Sequence, residues 1–435
     1  MPSESAPGEP DARSRKALKP DDSKPRRLAR VTREEALRYH SRYNGKLEIS
    51  PKTRVRDNHD LSLAYTPGVA EPCREIAKHP EDVYKYTSKG NMVAIMTDGT
   101  RILGLGNIGP WAGLPVMEGK AILFKKFAGV DAFPLCLSVK TPDEFVETAI
   151  RVEPVFGGIN LEDISTPQCF EIEERLRAKL DIPVFHDDQH GTSIIALAGL
   201  INSLRLTGRK IQDASFVING AGAAGIALAR YLRYAGARHI LACDRKGIIH
   251  PGRKDDMNRY KEEVANFSNI EGKKGNLADA MKGADVIVGL SAPGTISQAM
   301  IRSMSDRPIV FALANPEPEI SPEDAIEAGA GVVATGRSDY ANQANNVLGF
   351  PGVFRGALDV RARRINEEMK LAASNAIAKL IPDGMLSANY VIPSPIDPRV
   401  VPEVALAVAQ AAVETGVARE PLDPEKVLSH ITYGK

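Results

Sequence analysis

Cysteine is scarce. Cys73, Cys136, Cys169 and Cys243 stand far apart in a chain of 435 residues, and no Cys-x-x-Cys pair occurs. That argues against a disulfide framework. Each cysteine lies in or beside an apolar stretch, which points to buried free thiols in a reducing compartment and hence to the cytoplasm. Long apolar runs are also missing: none approaches the ~18 residues that suggest a transmembrane helix. Neither charge sign dominates, since 56 Lys and Arg face 55 Asp and Glu. Nothing in that balance calls for nucleic acid or an acidic membrane surface as a partner.

What is present is a chain long enough to bury a large core and to build two domains. Residues 1–30 are rich in Pro, Ser, Lys and Asp and lack aromatics. Such a segment is expected to stay a disordered tail. Its acids Glu4, Glu9, Asp11, Asp21 and Asp22 speak against a transit peptide. Thr32 with Glu35 three residues on reads as a capping box that opens a helix to Tyr43.

From Met92 onwards apolar runs of strand length alternate with helical patterns, which predicts an α/β fold built on parallel sheets. Strands are read at 92–96, 133–139, 155–161 and up to 184, with helices at 142–151 and 167–180 between them. Two strand exits carry adjacent carboxylates: Glu162-Asp163 and Asp187-Asp188. In open α/β sheets that edge is where ligands bind. Carboxylates converging there repel unless a cation holds them, and an all-oxygen cluster favours Mg²⁺ or Mn²⁺ over zinc. Glu162, Asp163 and Asp188 are therefore the expected metal ligands. His186 and His190 have zinc-like spacing but flank an expected turn among carboxylates.

Single residues nearby are ambiguous by themselves. Tyr65 precedes a Thr-Pro-Gly corner, where a ring is usually packing. Arg101 opens Arg-Ile-Leu-Gly-Leu-Gly, a glycine pattern read here as lacking a clear following helix. Lys120 precedes the apolar run 121–124 and is either a snorkelling surface residue or a desolvated base.

The second informative segment is 211–244. A strand, 214–219, runs directly into Gly220-Ala221-Gly222-Ala223-Ala224-Gly225, then a helix at 226–234, then a strand ending in Asp244. That is the dinucleotide-binding pattern in its proper context, with glycines and a helix N-terminus placed for a pyrophosphate. Asp244 has about the spacing of the acid that binds a ribose 2′-hydroxyl. Arg245 and Lys246 follow it and suit a 2′-phosphate, so NAD and NADP both stay open. Further strands at 284–290, 308–313 and 331–334 complete a doubly wound Rossmann-type domain. Asn315 follows one of them, and Asn342, Asn345 and Asn346 cluster beyond. Helices at 365–380 and 400–416 close the chain.

Taken together these motifs resemble the malic enzymes of the short bacterial and archaeal type. The resemblance covers about 33–416 and rests on the Tyr65–Ala70 corner, Arg101–Gly106, Gly119-Lys120, Glu162-Asp163, Asp187-Asp188, Gly220–Gly225, Ala314-Asn315-Pro316 and Asn345-Asn346. It implies a malate- and metal-binding catalytic domain over 31–191, a Rossmann-type NAD(P) domain over 192–360, and C-terminal helices over 361–435 that return to the first domain. It implies the reaction L-malate plus NAD(P)⁺ to pyruvate, CO₂ and NAD(P)H. By analogy Lys120 is the base, Tyr65 protonates the enol carbon, and Arg101, Asn315 and Asn346 orient the substrate. Asp187 either opposes the base or orients it. A neutral lysine requires its pKa to fall by roughly 3 units from ~10.4, about 4 kcal/mol. The family also implies a homodimer or larger assembly. A malolactic-type lyase with retained NAD and a non-enzymatic dinucleotide sensor are the alternatives.

Overall fold

The computed structural model describes residues 31–431. The expected tail, 1–30, lies outside the described residues. Two parallel sheets organise the rest. The first contains β1 (Met92–Thr97), β2 (Asp131–Cys136), β3 (Gly158–Leu161) and β4 (Val184–His186), ordered β2-β1-β3-β4. The second contains β5 (Ser215–Asn219), β6 (His239–Asp244), β7 (Gly247–Ile248), β8 (Val286–Gly289), β9 (Ile309–Ala312) and β10 (Val332–Thr335). Its order is β10-β9-β8-β5-β6-β7, and the short β7 alone runs antiparallel. Helices on both faces explain why these strands read as nearly continuous apolar runs.

Helix starts follow side-chain chemistry where the sequence offers a cap. Thr32 and Glu35 form the expected capping box at Arg33–Tyr43. Thr141 caps Pro142–Val152 by accepting from the Glu144 N–H. Two starts differ from the sequence reading. Gly109–Ala128 is helical, so the Arg101–Gly106 pattern does lead into a helix. Gly113, Pro115 and Gly119 inside it obscured the apolar period. The helix after β4 begins at Asp187 and runs to Thr207, so the stretch expected to be a turn is its first turn. No side chain caps it; instead Asp187 and Asp188 place negative charge at the positive end of the helix.

That helix links the sheets. It leaves β4 of the first, and at Gly199 it passes so close to Phe311 of β9 that an added Cβ would stand 2.9 Å from the ring. The expected boundary between 191 and 192 falls inside it. Phe350–Asp359 packs on Gly109–Ala128 through Phe124, whose ring lies 4.7 Å from that of Phe350 and 5.2 Å from that of Phe354. The helix Val400–Glu414 covers Phe350–Asp359, with Ala405 against Gly356. The helix Glu367–Lys379 lies on Asp187–Thr207, where Ser374 donates to the Ile194 carbonyl at 2.9 Å. Among the cysteines, Cys169 and Cys243 are buried, Cys136 is half-buried, and Cys73 is exposed on the helix Ala70–Lys78. The expectation of burial fails for Cys73 because that helix buries none of its residues.

Candidate active site

Strand register assembles the site. Leu161 of β3 lies level with Met96 of β1 on one side and His186 of β4 on the other. The next residues, Glu162 and Asp187, therefore leave neighbouring strands side by side. Glu162 is fixed there as its N–H donates to the Met96 carbonyl at 3.0 Å. Lys120 reaches the same point from the helix Gly109–Ala128. Its Nζ donates to Asp187 Oδ2 at 2.6 Å and lies 3.1 Å from Glu162 Oε1. The Phe350 ring stands 4.3 Å from the ammonium, an apolar wall with a cation-attracting face.

Asp187 is completely buried and also accepts from Asn346 Nδ2 at 2.9 Å. Its Oδ1 has no hydrogen-bond partner and folds back over Gly191. A Cβ at Gly191 would stand 2.0 Å from that oxygen, so only glycine leaves room for the carboxylate. Burial pulls the Lys120 pKa down, but the charges of Asp187 and Glu162 outweigh it and leave the group above its ordinary value. The sequence reading required the opposite direction. Asp187 is close enough to oppose the shift, and in this arrangement it prevails.

The remaining carboxylates are held mainly by backbone. Asp188 Oδ2 accepts from the Asp163 N–H at 2.8 Å, and Asp163 Oδ1 accepts from the Leu103 N–H at 3.2 Å. Asp163 Oδ2 is buried without a partner. Glu162 Oε2 accepts from Asn160 Nδ2 at 2.9 Å. Burial lifts Glu162 well above the usual carboxylate range, and burial together with the Asp188 charge pushes Asp163 up to about 7. Among the described residues no three such side chains are already gathered as a metal-binding group. The orphaned Asp163 oxygen and the all-oxygen donor set fit a hard divalent ion.

These residues line a cleft of about 560 Å³ between the two sheets. Arg101, Lys120, Glu162, Asp163 and Asp188 face Ala224, Asn315, Asn345 and Asn346 across it. The glycine loop enters from the Rossmann side. Gly220 has φ +123°, and a Cβ on Gly225 would meet the Gly220 carbonyl at 1.7 Å. Gly222 precedes the helix Ala223–Tyr234 without a side-chain cap, which leaves backbone N–H groups for a ligand. A Cβ on Gly222 would lie 3.7 Å from the Arg101 guanidinium, so the expected substrate arginine and the expected cofactor loop meet.

Two expected residues stand apart. Tyr65 is 69% exposed and does not line the cleft. Asp244 closes β6 as expected, but Arg253 and Lys261 already engage its carboxylate, with Lys261 Nζ at 2.8 Å. Residues that the sequence reading passed over are Asn160, which orients Glu162, and Gly191 and Phe350. Asn160 had a signal: an amide in a fully buried strand must find a partner. Gly191 and Phe350 had none, since neither contact can be seen before the chain folds.

Residues 44–177 match the malic enzyme N-terminal domain, and residues 189–415 match the malic enzyme NAD-binding domain. The chain belongs to the malic enzyme family. It is 60% identical to a bifunctional malic/malolactic enzyme of Bacillus subtilis (strain 168) over 91% of this chain and 96% of the relative. It is 53% identical to an NADP-dependent malic enzyme of Rhizobium meliloti (strain 1021), over 93% of this chain, and spans about half that relative's length (55%). The crystal structure of a malic enzyme from Pyrococcus horikoshii Ot3 superposes with a TM-score of 0.88 at 50% identity, covering 92% of this chain and 94% of that one.

Proposed function

We propose that this malic enzyme oxidises and decarboxylates L-malate in the cleft between its two sheets, giving pyruvate, CO₂ and NAD(P)H. The observation that carries the reading is Lys120, buried between Asp187 and Glu162 where the glycine loop meets the first sheet. Glu162, Asp163 and Asp188 are the residues that would hold Mg²⁺ or Mn²⁺. A bound divalent ion supplies Lewis acidity towards the C2 oxygen and takes up carboxylate charge that otherwise keeps Lys120 protonated.

Lys120 then takes the proton of the C2 hydroxyl as the C2 hydride leaves for the dinucleotide. Asp187 and Asn346 act behind it as positioning residues. Arg101 pairs with a malate carboxylate, and Asn315 and Asn346 donate or accept at the substrate's polar edge. The C4 carboxylate departs as CO₂, and C3 receives a proton, for which Tyr65 is the proposed donor.

We propose a homodimer, which gives Tyr65 a route. The helix Arg33–Tyr43 buries none of its residues, and Leu37, Tyr39, Tyr43, Leu61, Leu63 and Tyr65 are exposed on this N-terminal part of the chain. So much apolar side chain in water favours a cover, and a second copy is the proposed one. Tyr65 then serves the neighbour's cleft. No described helix is long and apolar enough to cross a membrane. We place the enzyme in the cytoplasm, where the buried free thiols of Cys169 and Cys243 stay reduced.

Product analysis tests the reading. Incubation with L-malate, Mn²⁺ and either dinucleotide is expected to give equal amounts of pyruvate and reduced cofactor, abolished by EDTA. Lactate without net cofactor reduction would move the assignment to malolactic chemistry, a second reading favoured by the name of the Bacillus subtilis relative.

A further inference from the structure

Glu319 is completely buried, and no ion pair engages it among the described residues. Its carboxylate joins two strand exits. Oε1 accepts from the Ser291 N–H at 2.8 Å, just past β8, and Oε2 accepts from the Ala314 N–H at 3.0 Å, just past β9. The side chain packs directly on Gly289, the last residue of β8, where an added Cβ would stand 2.4 Å from the Glu319 carboxyl carbon. Both oxygens face donors, so the geometry suits the ionised group. A charge buried without a counter-ion costs stability. The fold supplies no cation here, so the partner must come from outside the chain.

Position says what that partner is. β6, which carries the expected ribose acid, lies on one side of β5, while β8 and β9 lie on the other. The adenosine half of a dinucleotide lies towards β6 in this fold, and the nicotinamide half therefore towards β8 and β9. Ser291 and Ala314, whose N–H groups Glu319 holds, line the same cleft as Lys120. The oxidised nicotinamide ring is a cation, and accepting a hydride makes it neutral. We propose that Glu319 is the buried counter-charge to the oxidised nicotinamide, so that the protein favours the oxidised cofactor and releases the reduced one. Glu319 makes no contact with the cleft itself. It acts as a positioning residue through Ser291 and Ala314, and through its field, which a buried wall screens far less than water does. This rests on the reading that a dinucleotide binds at the Gly220–Gly225 loop with its nicotinamide in this cleft.

The test is calorimetric titration of the full-length protein with Mn²⁺ and without malate. The titrants are NAD⁺, NADH and benzamide adenine dinucleotide, the uncharged isostere of NAD⁺, or their 2′-phosphates where those bind more tightly. The wild-type protein is expected to bind the charged ring at least ~5-fold more tightly than its uncharged isostere, the size of a partly screened charge pair. Glu319→Gln is expected to remove that preference and to shift the balance between NAD⁺ and NADH towards NADH by the same factor. A structural role alone would weaken all three titrants alike, and that result would overturn the proposal. So would a preference that survives in Glu319→Gln. Equal affinity of the wild-type protein for the charged and uncharged rings would overturn it without any variant, which keeps the test decisive even if Glu319→Gln fails to fold. Binding of none of the three would overturn it together with the dinucleotide site.

Discussion

Asp187 supports Lys120 from behind the cleft, its Oδ2 accepting from Nζ at 2.6 Å while the carboxylate itself is completely buried. The negative charge raises the lysine, and the proposed base works only when neutral. Asp187→Asn removes the charge, so the Lys120 pKa falls and the acidic limb of the kcat–pH profile moves to lower pH. Turnover falls as well, because a carboxamide holds the amine less firmly. A profile measured from pH 5 to 9 checks this; a limb that stays in place would separate Asp187 from the base.

Gly191 is the residue on which that support depends. A Cβ there meets Asp187 Oδ1 at 2.0 Å, so Gly191→Ala must displace the carboxylate, and Lys120 with it. A misplacement of about 1 Å at a reacting group can lower turnover ~10²-fold. The expected result is a kcat loss of that order with dinucleotide binding retained, read by steady-state kinetics alongside calorimetry.

Metal affinity should follow the carboxylates. Asp188→Ala removes a proposed ligand and also the acceptor for the Asp163 N–H. Mn²⁺ affinity is expected to fall at least ~10-fold, measured by titration of the protein without substrate. Undiminished affinity would take Asp188 out of the ligand set.

Sharing of the cleft between copies can be tested by mixing. Lys120→Ala and Tyr65→Phe should each be deficient. If Tyr65 serves the neighbour, co-refolding the two at equal amounts restores about a quarter of the wild-type sites in a randomly formed dimer. No restoration would return Tyr65 to its own subunit's cleft or remove it from the reaction.

Acid stability follows from Asp285, a structural carboxylate away from the cleft. Burial raises its pKa, but the Ser215 N–H, the Ser305 and Ser215 hydroxyls and Arg209 together hold it below the usual carboxylate value. A lowered folded pKa means the stabilisation is complete above the unfolded value of ~3.9 and is lost as pH falls through the folded one. Asp285→Asn should cost about 2 kcal/mol at pH 7, and the difference from wild type should shrink towards zero in strong acid. Thermal melts at pH 7 and at pH 3 would show it.

Much of this was legible before folding, for physical reasons. Buried parallel strands write themselves as apolar runs, and Thr32 or Thr141 announces a helix by its capping chemistry. Glu162 and Asp187 could be placed at strand exits, although their meeting depends on the Leu161–His186 register, which no local pattern encodes. The helix start at Asp187 was hidden because no side chain caps it. The engagement of Asp244 was invisible because Arg253 and Lys261 return to it from nine and seventeen residues further along the chain. Exposure of Tyr65 was equally invisible, since a tyrosine at a Thr-Pro-Gly corner reads the same whether its ring packs inside or faces a neighbour.

The most direct test of the central claim is the rate of malate oxidation by Lys120→Ala, followed at 340 nm with saturating L-malate, Mn²⁺ and whichever of NAD⁺ and NADP⁺ the wild-type protein reduces faster, on protein whose dinucleotide binding has been verified. The account predicts loss of at least ~10²-fold, the lower end of what a positioned general base contributes. Turnover near that of the wild type would contradict it and leave the cleft without its proposed base.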